Sequence, residues 1–108
     1  YRSTGKDVIL RGAPCLVIAA ADKGLANGRD NTHFALAYVE LYAPTLGLGT
    51  CYAGLVELCA RSGCPDLVRL LNLPEDQTIT GAVMVGYPSY RYARLVDRNP
   101  LDIRFVSS

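Results

Sequence analysis

The chain has 108 residues, 50% of them apolar and 19% charged, enough to bury one core and little more. Eleven Lys and Arg against ten Asp and Glu leave a net charge of +1, which excludes a field that draws nucleic acid or anionic membrane by charge alone. No apolar run approaches the roughly 20 residues a bilayer span needs, and residues 1–12 lack the basic, apolar and small-residue zones of a signal peptide.

The chain opens on Tyr1 rather than methionine and is therefore expected to be part of a longer polypeptide. Residues 13–21 (APCLVIAAA) form an almost unbroken apolar run ending at Asp22 and Lys23, the pattern of a strand buried on both faces and so of a central strand. Residues 24–28 (GLANG) read as a loop, with Asp30 or Asn31 as the N-cap of the next helix. Over residues 32–46 the side chains of Phe34, Tyr38, Leu41, Tyr42 and Leu46 fall at helical spacing, Ala35, Ala37, Val39 and Ala43 fill the other sides, and only Glu40 interrupts the apolar surface. Such a helix needs cover on nearly every side, which points to a central helix or a subunit interface. Pro44 removes a backbone donor and is expected to kink or end it.

Residues 46–54 (LGLGTCYAG) set Gly47, Gly49 and Gly54 around a short β-capable stretch. The backbone there either turns sharply and comes close to a ligand or simply joins a helix to a strand. Residues 55–61 and 65–71 read as two short helices, the second opened by Pro65 with Asp66 near the positive end of its dipole. Residues 79–87 (ITGAVMVGY) form a second apolar strand, and beyond it the chain is rich in Tyr and Arg, with only residues 103–106 suggesting a terminal strand.

The four cysteines, Cys15, Cys51, Cys59 and Cys64, form no C-x-x-C pair, and the single His33 does not complete a zinc set, so no metal site is expected. Cys15 and Cys51 lie in apolar stretches and are expected to be buried; reduced structural thiols fit a cytoplasmic protein, a disulfide or metal role being the lesser alternative. No Ser-His-Asp set, Walker loop or G-x-G-x-x-G after the first strand occurs, and His33 reads as a capping or surface residue. No side chain is therefore assigned as acid, base or nucleophile, and an enzyme built on this chain would leave its chemistry to a cofactor. Arg91, Arg94 and Arg98, set among Tyr87, Tyr90 and Tyr92, suit a single-stranded nucleic acid, one phosphate monoester or a solvated surface, and the small net charge makes the first the weakest.

Four segments in order, residues 10–14 (LRGAP), the apolar helix ending in 46–54, residues 71–76 (LNLPED) and residues 85–88 (VGYP) with the arginine tail, resemble the C-terminal half of the FMN-dependent nitroreductase family. They are most similar to anaerobe-type members, some of which carry a fused ferredoxin. The resemblance implies an α+β fold, a nitroreductase-like three-layer sandwich with a mixed sheet, of which residues 1–108 form the C-terminal portion of a single domain. It implies a homodimer built on a helix pair, with FMN at the interface and the backbone of Tyr52, Ala53 and Gly54 along the flavin ring. Arg98 is implied on the FMN phosphate with Arg94 as the weaker match, because Val96 stands where the family often has Lys. The family's N-terminal Arg- and Ser-rich phosphate motif has no counterpart here.

The implied activity is reduction of nitroaromatics, quinones or similar small-molecule acceptors with electrons from NAD(P)H or ferredoxin, with neither nucleic acid nor membrane as partner. A flavin-less interaction or structural module of the same fold is the alternative.

Overall fold

The computed structural model describes residues 4–107. In chain order these form strand β1 (Cys15–Asp22), helix α1 (Gly28–Tyr42) with a 3-10 turn (Ala43–Leu46), strand β2 (Gly49–Tyr52), helices α2 (Gly54–Arg61) and α3 (Pro65–Leu71), and strand β3 (Gln77–Gly86). The strands make one sheet in the order β1-β3-β2, Cys15 opposite Val85 and Tyr52 opposite Val83; both pairings are antiparallel, so the parallel pairs of the expected mixed sheet are not among the described residues. The centre of this sheet is therefore β3, where the apolar run of β1 had pointed to β1. An unbroken apolar run reports that both faces of a strand are covered, and carries no information about which edges are paired.

Side chains alternate across the sheet, and that alternation sorts the helices into layers. On one face Leu16, Ile18, Ala82 and Met84 pack with Ala53 and Val56 around α2, with Leu67 of α3 and with Leu10 of the lead-in. On the other, Gly81 lies under α1: a Cβ there would stand 2.6 Å from Leu36 Cδ1, and Gly28 at the start of α1 lies against Ala21. The result is the three-layer α+β arrangement, α1 on one side and α2 with α3 on the other. Gly81→Ala is expected to cost about 1 kcal/mol through overpacking, since Leu36 is itself buried and has little room to swing away. A fall in the denaturant midpoint at constant m would record it.

A β-bulge interrupts the β1–β3 ladder: Ala19 pairs with Gly81 and Ala20 with Ile79, leaving Thr80 as the additional residue. Its hydroxyl donates to the Ala19 carbonyl (3.3 Å) and lies 2.7 Å from the Thr32 hydroxyl of α1. The lead-in is held by Asp7, whose carboxylate accepts from the backbone N–H groups of Ile9 (3.1 Å), Leu10 (2.9 Å) and Gly12 (3.2 Å).

Helix α1 begins earlier than either expected cap, at Gly28, with Asn27 as its N-cap making no side-chain cap bond. Asp30 sits inside the first turn, near the positive end of the dipole. The contact of Gly28 with Ala21 fixes this start, a tertiary cause that local capping signals do not carry. Pro44 acts as expected: the α-helix ends at Tyr42 and tightens into the 3-10 turn. The expected terminal strand at residues 103–106 does not form; those residues are exposed, and among the described residues nothing after Gly86 is helix or strand.

Candidate functional site at the β2–α2 junction

Tyr52 ends β2, Ala53 bridges, and Gly54 opens α2. Ala53 is buried in the core, its N–H donating to the Ala82 carbonyl (2.8 Å) and its own carbonyl accepting from Val56 (2.9 Å) and Glu57 (3.2 Å). The turn is thereby fixed to β3, and Ala53 has no amide to offer a ligand. Gly54 is different. It is exposed, with nothing within 4 Å of where a Cβ would stand, and its N–H and that of Leu55 begin a helix, where no preceding turn supplies an acceptor. A planar ligand edge can therefore approach this backbone closely, and two first-turn amides face outward from the same end of α2.

Beside the junction lies a charged cluster that the sequence reading did not find. Glu57 is only 8% exposed although charged. Its Oε1 lies 3.6 Å from His33 Nε2 and its Oε2 lies 3.8 Å from Arg29 Nη2, so α1 and α2 are joined across the edge of the sheet. His33 Nδ1, 2.9 Å from the Arg29 carbonyl, must carry a hydrogen to make that bond. The His33 ring stacks on Tyr52, centroids 6.2 Å apart and planes within 13°. Partial burial, with the charges of Glu40 and Glu57 adding, pushes the Tyr52 phenol above its usual range, so it stays protonated at neutral pH. His33 is thus neither a cap nor a free surface residue, and it links the cluster to the junction. No local signal marks Glu57, because its partners lie on another helix.

The arginines stand apart. Residues 87–107 are exposed throughout, anchored at their start where Pro88 lies against Gly49. Arg94 pairs with Asp97 (3.5 Å), both side chains in solvent, whereas Arg98 enters no ion pair among the described residues. Among those residues no hydrogen bond or ion pair joins Arg94 or Arg98 to Tyr52, Ala53 or Gly54. Cys15 and Cys51 are exposed rather than buried, because they fall at the uncovered ends of their strands, Cys15 opening β1 and Cys51 in the exposed last half of β2. No three His, Cys, Asp or Glu side chains gather as a metal set among the described residues, and no helix there is long and apolar enough to cross a membrane.

The Nitroreductase family model matches residues 1–87, a stretch that runs through all three layers and the junction. The chain belongs to the nitroreductase family. No curated protein matches it closely enough to count as a relative. Among solved structures it shares its fold with a nitroreductase with bound FMN from Bacteroides fragilis NCTC 9343, with a TM-score of 0.69, 21% identity, and 96% of this chain and 57% of that one covered. A second is an oxidised iodotyrosine deiodinase bound to FMN and 3-iodo-L-tyrosine, with a TM-score of 0.67, 23% identity, and 92% of this chain and 50% of that one covered. This nitroreductase-family chain therefore spans 57% and 50% of the lengths of these two structures.

Proposed function

We propose that this chain supplies the C-terminal portion of an FMN-dependent oxidoreductase, reducing nitroaromatics, quinones or similar acceptors with electrons from NAD(P)H or ferredoxin. The open backbone at Gly54, inside the family-matched stretch, carries this reading. The Gly54 and Leu55 amides would hold a polar edge of the flavin ring, with Tyr52 kept neutral beside it. Arg98 would grip the phosphate, while Arg94, engaged with Asp97, is second. When bound, FMN supplies the electron transfer, and this chain's residues position it and shape the surface on which the acceptor rests.

The same reading makes the protein a homodimer in the cytoplasm. Phe34, Tyr38, Leu41 and Tyr42 of α1 are all more than 60% exposed on the single chain, at 68%, 74%, 72% and 64%, an apolar face of the kind that a second copy covers.

The test is the visible spectrum of the protein purified from its complete reading frame. Flavin bands, followed by NAD(P)H- or ferredoxin-driven turnover of a nitroaromatic, a quinone or an iodotyrosine, are expected. A protein that is colourless and stays so after incubation with FMN would overturn the proposal in favour of a flavin-less module.

A further inference from the structure

Helix α2 ends in a backbone arrangement that brings two cysteines together. Ser62 N–H reaches the Leu58 carbonyl (3.0 Å), Gly63 N–H the Ala60 carbonyl (3.1 Å), and Cys64 N–H goes back to the Cys59 carbonyl (3.3 Å). Gly63 takes the left-handed conformation, φ +72°, that such a helix end requires. In this motif the residue two beyond the cap turns its side chain onto the one in the last turn, a contact usually filled by two hydrophobes. Here both are cysteine. The backbone bond brings their α-carbons close to the separation that disulfides use, about 4.4 to 6.8 Å. The two thiols are near enough to shift each other's ionisation, and both are half-buried, within reach of a small molecule. Cys15 and Cys51 have no such arrangement with each other, lying on β1 and β2 with β3 between them.

We propose that Cys59 and Cys64 form a dithiol switch that closes reversibly into an intramolecular disulfide by exchange with low-molecular-weight disulfides. Cys64 attacks one sulfur of the small disulfide, forming a mixed disulfide and releasing one small thiolate. Cys59 gives its proton to that thiolate, attacks the Cys64 sulfur and expels the second small thiolate, which takes up the proton Cys64 had lost. Two protein thiols are oxidised and one small disulfide is reduced to two thiols, so electrons and protons balance and excess thiol reverses the exchange. The division of labour follows from the surroundings. Backbone N–H groups of Leu67 and Asp66, with the Cys59 thiol, draw the Cys64 thiol below its usual range, while the neighbouring Cys64 thiol and burial hold Cys59 above it. Closure would tie the end of α2 to the start of α3, and it requires no flavin.

The intact protein is equilibrated with mixtures of reduced and oxidised glutathione, its remaining thiols are alkylated, and the tryptic peptides are read by mass spectrometry. Cleavage after Arg61 separates residues 30–61, which hold Cys59, from residues 62–69, which hold Cys64. The expected result is a joined pair of these peptides lacking two hydrogens and two alkylated sites, its fragments placing the link at Cys59, and its loss in excess reduced glutathione. Cys59→Ser should leave Cys64 trapped as a mixed disulfide with glutathione. A link to Cys51, glutathione spread over all four cysteines with no joined pair, or thiols that remain fully alkylated under oxidising mixtures would each overturn the proposal, and these readings need only the unmutated protein.

Discussion

Leu41→Glu and Tyr38→Glu are each expected to turn the proposed dimer into monomers while leaving the chain folded. Both side chains are largely in solvent on the single chain, at 72% and 74% exposure, so a glutamate there stays hydrated and costs the isolated fold little. Across a two-fold interface each substitution enters twice, and each copy buries a carboxylate without a partner. At no less than about 2 kcal/mol per buried charge the dissociation constant rises roughly a thousandfold. Light scattering should report half the mass with an unchanged far-UV signal. An intact dimer would place the interface on another surface, and loss of the helical signal would mean that the chain folds only with its partner.

Arg98→Ala should weaken FMN retention about 10- to 150-fold, the equivalent of about 1.5 to 3 kcal/mol for a charge-assisted phosphate contact. Arg94→Ala is expected to do less, because Asp97 already neutralises that guanidinium (3.5 Å) and its removal frees an anion rather than a phosphate site. A fluorescence titration of flavin into the two variants ranks them directly. Equal losses would make the arginines a pair, and no loss for Arg98 would remove it from the site.

The local parts of this fold were readable because their causes are local. Pro44 ends the α-helix through its own ring, Pro65 opens α3 where its missing N–H is harmless, and the short apolar run that starts at residue 79 falls within β3, Gln77–Gly86. Family motifs added the three-layer plan and the junction at Tyr52, Ala53 and Gly54. What stayed hidden depends on distant residues meeting. The start of α1 is set by Gly28 against Ala21, the central place of β3 by pairing on both its edges, and the burial of Glu57 by Arg29 and His33 from another helix. The Cys59–Cys64 contact was hidden for a subtler reason: a spacing that matches no metal or redox motif becomes a contact only once the chain reverses at Gly63.

The bulge at Thr80 sets how β3 tolerates a change of length. Side chains in a strand alternate strictly, so removing one residue between Gly81 and Val85 would turn part of the core-facing set toward the opposite layer. At Thr80 the strand already carries one residue more than its partner, with Gly81 and Ile79 facing consecutive residues of β1. Deleting Thr80 alone would restore even pairing and leave Ala82, Val83 and Ile79 on their present faces. The loss would be confined to the hydroxyl contacts with Ala19 and Thr32. Within β3, this is the position at which one residue can be lost without exchanging the two layers.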